Sequence, residues 1–215
     1  MRQTRTDLIV RARDLALDRG LHGFTIEALC EDVGISRRTF FNYFASKDDA
    51  VIGTSAKDPL EALGEQFVAR GRAGGDLLDD LRELVLRTFD DADTAHPAQL
   101  MELLRREPEL AERAFSTMER RRNELTELIR RHTGSGPDDA FPALAASVVG
   151  HLAAHTMHRF LELHPPGAPR DQSVAAAFAR LLDEHLEQAS RLFTRARPAD
   201  PSTPRPAETS TKDPS

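Results

Sequence analysis

The sequence of 215 residues contains no tryptophan, one tyrosine and one cysteine. A single cysteine cannot form a disulfide within the chain, which excludes a disulfide-stabilised secreted domain and favours a reducing, cytoplasmic location. Cys30 lies among apolar residues at helical spacing, so we expect a small buried side chain there rather than a redox sensor. The amino terminus also lacks the uninterrupted apolar region of a secretory signal.

Long hydrophobic runs and alternating strand patterns are absent as well. No stretch approaches the roughly 20 apolar residues that a transmembrane helix needs, so no membrane partner is expected. Apolar residues recur instead at three- and four-residue steps, which is typical of amphipathic helices. With 40% hydrophobic residues, the chain can bury a core as one or two domains. The predicted fold is all-α.

Motifs of catalysis and of cofactor binding are missing too. The chain has no glycine-rich phosphate loop, no GxSxG and no HExxH. Its acidic pairs, Asp79–Asp80, Asp90–Asp91 and Asp138–Asp139, join sequence neighbours. Adjacent residues on a helix do not face each other, so these pairs cannot work as catalytic dyads. We therefore expect neither an enzyme nor a cofactor.

Three histidines, His151, His155 and His158, follow each other at steps of four and three residues, near one face of a predicted helix. Such imidazoles can bind a transition metal, supply polar groups to a ligand pocket, or pack in an ordinary way. No cysteine or obvious carboxylate cluster lies near them in the sequence. A metal is therefore the weakest of the three alternatives, and no metal site is predicted.

The formal net charge of −6 argues against a protein that coats nucleic acid without selectivity. The basic residues near the amino end are nevertheless grouped, and they could line one surface: Arg2, Arg5, Arg37, Arg38 and Lys47. A local basic surface on an acidic protein suits a selective binder, because long-range non-specific attraction is weak.

The stretch from Thr25 to Asp49 predicts two short helices joined by a turn. Four apolar residues at three- and four-residue steps form one face of the first helix: Ile26, Leu29, Cys30 and Val33. Thr25 can cap that helix, and Gly34 can end it in the left-handed conformation. Ser36 can cap the second helix, which spans about Arg37 to Tyr43.

The second helix begins with Arg37, Arg38 and Thr39. Cations are unfavourable at the positive end of a helix unless an anion lies opposite. A helix that enters the major groove of DNA presents its first residues to base edges, where arginine can bind guanine and threonine can contact thymine. The predicted DNA-binding residues are Thr25, Ser36, Arg37, Arg38, Thr39, Asn42, Tyr43 and Lys47.

This stretch resembles the DNA-binding half of the TetR family of bacterial repressors. The matching residues are Gly23-Phe24-Thr25, Ile26, Ala28, Val33-Gly34-Ile35-Ser36, Thr39-Phe40-Phe41, Tyr43-Phe44 and Ser46-Lys47. The resemblance implies an N-terminal three-helix helix-turn-helix domain followed by a C-terminal helical bundle that binds a ligand and dimerises. It also implies that helix 4 carries the ligand signal to the DNA-binding part. Phe41 is a departure, because many members carry at this position a tyrosine that donates to a phosphate.

The predicted domains are residues 1–55, which bind DNA, residues 56–196, which bind the effector and dimerise, and a disordered tail at 197–215. Helix 1 is expected from Arg5 to Arg19 with Thr4 as its cap, preceded by a flexible arm or a simply disordered end. The later helices are expected at about 59–71, 77–91, 97–106, 108–132, 141–163 and 172–196.

The resemblance also implies a small effector, which the apolar inventory suggests to be an acyl or aromatic compound. The residues expected to line its pocket are Leu84, Phe89, Phe115, Met118, His151 and His155. A homodimer is expected through the last two long helices. Its candidate apolar positions are Val148, Leu152, Phe178, Leu181, Leu182, Leu186 and Phe193, with alanines such as Ala145 and Ala175 allowing close approach.

Two functions fit these observations. The first is a ligand-responsive regulator, a repressor, that binds a palindromic double-stranded DNA operator as a dimer and leaves it when the apolar effector binds. The alternative is an all-α small-molecule-binding or protein-interaction module without DNA binding, which Phe41 and the acidic net charge favour.

Overall fold

The computed structural model describes residues 2–56, 59–89, 97–164 and 172–193, and this part of the chain is helical without a strand. The helices are α1 (Arg2–Arg19), α2 (Ile26–Val33), α3 (Arg37–Phe41), α4 (Lys47–Ile52), α5 (Pro59–Arg72), α6 (Leu77–Phe89), α7 (Pro97–Arg106), α8 (Pro108–Thr133), α9 (Phe141–Leu163) and α10 (Gln172–Phe193). The all-α prediction is confirmed. Among these helices, none is long and apolar enough to cross a membrane.

The amino-terminal helices share one core, because α1 presents an apolar stripe to α2, α3 and α4. Its fully buried members are Leu8, Ile9, Leu29, Phe40, Phe44, Ala50 and Val51. Helix α1 already begins at Arg2. Thr4 therefore lies inside the helix, so the predictions of a Thr4 cap and of a flexible or disordered arm before Arg5 are wrong.

Two arginines of α1 bind the carboxyl end of α4. The guanidinium of the buried Arg13 donates to the carbonyl oxygens of Val51 at 2.8 Å and Ile52 at 3.2 Å. Arg5 Nη2 donates to the Gly53 oxygen at 2.7 Å. These cations satisfy carbonyls that have no partner within a helix and suit the negative end of its dipole. Arg5 is thus bound to the end of α4, and its expected place on one basic surface stays a prediction.

The carboxyl-terminal helices form a bundle around two apolar clusters. One cluster joins α5, α6, α8 and α9, and its buried members are Phe67, Val68, Leu81, Leu84, Ile129 and Ala146. The other joins α6, α9 and α10 through Phe89, Phe160 and Phe178. Arg82 and Asp183 pair between α6 and α10. The hydrogen bond from Arg82 and its charge hold the pKa of Asp183 below its usual value.

Helices α5 and α8 approach closely at two glycines. A Cβ at Gly64 would lie 2.7 Å from Leu128, and a Cβ at Gly71 would collide with His132. The buried His132 ring pairs with Asp80 of α6 at 2.8 Å. Arg70 of α5 forms an ion pair with Asp80 at 3.3 Å. The bundle is thus fixed by backbone contact on one side and by a buried polar cluster on the other.

Helix α7 and the start of α8 pack against the amino-terminal helices. Leu103 and Leu110 belong to the same buried cluster as α1. Gln99 donates to Asp14 at 3.1 Å, and the Leu21 backbone donates to Glu107 at 3.3 Å. The division at residue 55/56 stays a prediction: α4 ends at Gly53, whose φ is 89°, and α5 begins at Pro59. The predicted tail and the last turn expected up to Ala196 lie outside the described residues.

Candidate nucleic-acid interface

Three hydroxyl side chains cap the helices of this region, two of them, Thr25 and Ser36, as predicted. Thr25 accepts from Ala28 N at 3.2 Å, Ser36 from Thr39 N at 3.1 Å and Ser46 from Asp49 N at 3.1 Å. Gly34, with φ of 75°, ends α2 in the left-handed conformation. The caps fix where each helix begins, so the first turn of α3 is held in one orientation without contribution from its arginines.

The first turn of α3 presents two arginines to solvent. The side chain of Arg37 is 61% exposed and pairs with Glu27 of α2 at 2.8 Å. Its guanidinium also lies 5.8 Å from the centre of the Phe41 ring. Arg38 is exposed, and within the described part of the chain no hydrogen bond or ion pair involves its side chain. The two adjacent cations therefore differ, because only Arg37 must leave a carboxylate to meet an anion.

Glu27 was not predicted as part of this site. A hydrogen bond from its own backbone lowers the pKa of Glu27, and the charge of Arg37 and the Thr25 hydroxyl lower it further. Its carboxylate is therefore ionised at neutral pH and competes with any phosphate for Arg37. Sequence offers only a weak signal for this pairing, since an acid in the first turn of a helix is common for dipole reasons alone.

The end of α3 carries residues of mixed exposure. Asn42 and Phe41 are exposed, whereas Tyr43 is half-buried and packs against Phe44 with ring centres 6.5 Å apart. Phe41 packs edge-on against Phe40 at 5.3 Å. Phe41 thus offers an apolar ring beside Arg37 at the position where the resemblance implies a phosphate donor.

Lys47 lies at the start of α4 and reaches back to the segment before α2. Its ammonium donates to the Phe24 carbonyl at 3.1 Å and lies 5.1 Å from the centre of the Phe24 ring. Thr25 follows Phe24 directly, so the structure brings the two predicted phosphate contacts, Thr25 and Lys47, together.

Another residue that was not predicted, Arg113 of α8, reaches this region from the other half of the molecule. Its Nη2 lies 3.1 Å from Asp49 Oδ1 and 3.2 Å from Ser46 Oγ. A long side chain on a distant helix leaves no spacing signal, because 64 residues separate it from Asp49.

The six residues expected to line an effector pocket do not meet at one site. Leu84 and Phe89 are buried in different clusters. Phe115 and Met118 were expected to line the pocket, but they are 64% and 67% exposed. They lie on the same face of α8 as the buried Ile129, and in the described part of the chain no helix covers that end of the face.

The histidines of α9 lie on its exposed side. His151 Nδ1 donates to the Ser147 carbonyl at 2.7 Å, and the rings of His155 and His185 have centres 4.8 Å apart. His158 pairs with Glu162 at 3.4 Å. Within the described residues, no group of three or more histidine, cysteine or acidic side chains is placed to hold a metal ion.

Comparisons with known proteins agree with this geometry. Residues 8–51 match the family described as bacterial regulatory proteins, tetR family, and residues 76–187 match the MftR C-terminal domain. The HTH-type transcriptional regulator TcmR of Streptomyces glaucescens is 30% identical over 66% of this chain. That match spans 65% of TcmR, slightly less than two thirds of its length.

Two further proteins are similar. The candidate mycofactocin biosynthesis transcriptional regulator MftR of Mycobacterium tuberculosis H37Rv is 27% identical over 72% of this chain and 75% of its own. The crystal structure of a candidate TetR-family transcriptional regulator from Mesorhizobium loti MAFF303099 superimposes with a TM-score of 0.44 at 19% identity, covering 88% of this chain and 96% of that one. The two matched segments span both halves of the sequence, and the chain belongs to the TetR family of bacterial regulatory proteins.

Proposed function

We propose that this protein is a ligand-responsive transcriptional regulator, acting as a repressor, that binds a palindromic operator as a dimer in the cytoplasm. The observation that carries the proposal is the first turn of α3, where Arg38 is exposed and without a bonded partner in the described residues. A capped helix start with an exposed guanidinium at Arg38, unpaired among the described residues, matches the way a recognition helix meets base edges in the major groove.

Arg37, Arg38, Thr39 and Asn42 read bases in this proposal, while Thr25, Ser36, Tyr43 and Lys47 set the register on phosphates. Thr25 and Lys47 support it, because the Lys47 ammonium donates to the carbonyl of Phe24, the residue directly before Thr25. Phosphate contacts position a protein, and base contacts specify the sequence. Two copies related by a two-fold axis would place their α3 helices in half-sites about 34 Å apart.

The effector in this proposal lies against the uncovered face of α8. Phe115 and Met118 are exposed on the face that elsewhere buries Ile129, and large exposed apolar groups mark binding surfaces. An apolar compound, acyl or aromatic, suits them. It must bind the DNA-free state more tightly than the DNA-bound state, because equal affinity would shift nothing.

The dimer in this proposal uses the outer stripe of α9. Leu144 is 64% exposed, and Val148, His151 and His155 continue the same stripe. Two positions expected at the interface, Phe178 and Leu182, are instead buried within the subunit, so the partner cannot contact them. The charged outer side of α10 makes α9 the main contributor.

The alternative function is a helical small-molecule-binding or interaction module that has lost DNA binding. The Glu27–Arg37 pair and the apolar Phe41 favour it, because both weaken the attraction of α3 for phosphates. A gel shift with the DNA that flanks its own gene separates the two functions.

Selection of bound sequences from random duplex DNA tests the proposal most directly. We expect a palindromic consensus whose half-site centres are one helical turn apart. If the selection enriches no consensus sequence, the proposed function is overturned and the alternative is favoured.

A further inference from the structure

Helix α8 makes a direct polar contact with α4, the helix that carries Lys47. Arg113 Nη2 lies 3.1 Å from both carboxylate oxygens of Asp49. Arg113 Nε lies 3.2 Å from Asp49 Oδ1, and Nη2 lies 3.2 Å from Ser46 Oγ. A guanidinium that bonds a carboxylate through two nitrogens fixes orientation as well as distance.

The Asp49 carboxylate is not a loose surface group. Its side chain is only 10% exposed, and Ser46 Oγ donates to Asp49 Oδ2 at 2.7 Å while it accepts from Asp49 N at 3.1 Å. Ser46 thus caps the first turn of α4, and its hydroxyl also binds the Asp49 carboxylate. Without Arg113, this nearly buried negative charge would keep, among the described residues, only the serine as its side-chain partner, which is costly.

The turn that Arg113 holds is connected to the segment before α2. Lys47 lies within that turn, and its ammonium donates to the Phe24 carbonyl. A continuous set of contacts therefore runs from α8 through Ser46 and Asp49 to Lys47, and from Lys47 to the start of α2.

The other polar contacts between the two halves reach different elements. Gln99 contacts Asp14 of α1, Glu107 contacts the Leu21 backbone, and Glu109 lies 3.6 Å from His22. These contacts fix α7 and α8 on α1 and the loop after it. Among the described residues, Arg113 makes the polar contact that joins the carboxyl-terminal bundle to α4.

We propose that Arg113 is a positioning residue through which the C-terminal bundle controls DNA binding: it orients the Ser46–Asp49 turn and thereby Lys47. This inference rests on the proposed function. Arg113 precedes the exposed Phe115 and Met118 by less than two helical turns on α8, so a compound that displaces α8 there also displaces Arg113. Withdrawal of the guanidinium frees the α4 turn and weakens the phosphate contacts of Lys47 and Thr25.

The test uses the full chain and the duplex that the wild-type protein selects from random DNA. We expect Arg113→Ala to weaken binding of the labelled duplex about tenfold by fluorescence anisotropy, the effect of one charge-assisted hydrogen-bond partner. The matched control is Arg122→Ala on the same helix, whose arginine pairs with Glu119 within α8. That change should stay within about twofold. Unchanged affinity of Arg113→Ala would overturn the inference.

A double-mutant cycle with Lys47→Ala distinguishes positioning from a general structural role. If Arg113 acts through Lys47, the loss caused by Arg113→Ala must shrink in the Lys47→Ala background. An equal loss in both backgrounds would overturn the proposed route. In Arg113→Ala, the slope of log affinity against log salt concentration should also fall by about one phosphate contact, because Lys47 no longer contacts the DNA backbone.

Two further results separate the possible failures. If Arg113→Ala loses helicity by circular dichroism, Arg113→Lys replaces it, since lysine keeps the charge but not the two-nitrogen geometry. Wild-type affinity in Arg113→Lys would overturn the geometric role. If the wild-type protein selects no duplex, the proposed function fails and the inference fails with it. If the wild type binds and both variants bind equally well, the inference alone fails.

Discussion

Arg37 and Arg38 are neighbours in the first turn of α3, yet their surroundings differ. Arg37 is held by Glu27 at 2.8 Å, and Arg38 is exposed. Exposed ion pairs contribute little to stability, since two solvated charges gain little when they meet. The Glu27–Arg37 pair therefore affects DNA binding more than stability, because Arg37 must break this pair before it can bind an anion.

Glu27→Gln is expected to strengthen binding of the selected duplex by a few-fold. The change removes a carboxylate that competes for Arg37 and repels phosphates, while the amide keeps the shape of the side chain. Fluorescence anisotropy at several salt concentrations measures the effect. Glu31→Gln is the control, because this exposed acid lies on the same helix and its side chain makes no hydrogen bond or ion pair with α3 in the described residues. Equal gains in both variants would mean that only net charge matters.

At the scale of elements, local sequence signals predicted helix boundaries better than they predicted which helices pack together. The caps Thr25, Ser36 and Ser46 were predictable, because a hydroxyl before an apolar helical pattern is a local signal. The same rule gave a wrong prediction at Thr4, because α1 extends past this residue to Arg2 and Thr4 therefore caps no helix. Met118, which was expected to line a pocket, is exposed. Periodicity identifies a helix face but not whether another helix covers it.

Ser36→Ala is expected to lower the free energy of unfolding by about 1 kcal/mol, as loss of a helix cap does. Ser36 Oγ accepts from Thr39 N and lies 2.8 Å from Thr39 Oγ1, and both contacts vanish with the hydroxyl. Urea denaturation measures the change. Ser116→Ala removes a hydroxyl that only donates back to Glu112 within α8, and it should change stability much less. A Ser36→Ala protein as stable as the wild type would contradict the importance of this cap.

At the scale of the whole molecule, α9 and α10 join through a histidine of α10, His185, that bonds to Thr156 of α9. Burial lowers the pKa of His185, and the neighbouring His155 lowers it further. Thr156 Oγ1 donates its proton to the Leu152 carbonyl at 2.9 Å, so it accepts from His185 Nδ1 at 2.8 Å. The folded state therefore favours a neutral ring with its proton on Nδ1.

We expect the free energy of unfolding to decrease as the pH falls below the ordinary histidine value of 6.5. Because the folded pKa is lowered, the unfolded chain binds the proton first, and the stabilisation is complete only above the unfolded value. This stabilisation is lost as the pH falls through the pKa of His185 in the folded state. Urea denaturation between about pH 8 and pH 5 should show a smaller dependence in His185→Gln. His158→Gln, at an exposed position, should keep the wild-type dependence.

The proposed dimer predicts an asymmetry between two exposed leucines. Leu144 on α9 is 64% exposed and Leu78 on α6 is 50% exposed, so neither contributes much to the core of one subunit. Leu144→Glu should produce monomers in sedimentation velocity, since a charge in an apolar interface has no partner there. Leu78→Glu should leave the assembly unchanged. Identical behaviour of both variants would place the interface elsewhere.

The two glycines of α5 have a mechanical consequence. With no side chain at Gly64 or Gly71, the backbone of α5 rests against Leu128 and His132 of α8, and packed surfaces this close leave no room to slide. A displacement of α8 must therefore carry α5 along. Helix α5 follows α4 in the chain, and Arg113 of α8 binds the first turn of α4 through Asp49. A displacement of α8 therefore acts on the six-residue α4 at both ends: at its first turn through Arg113, and at its last turn through α5.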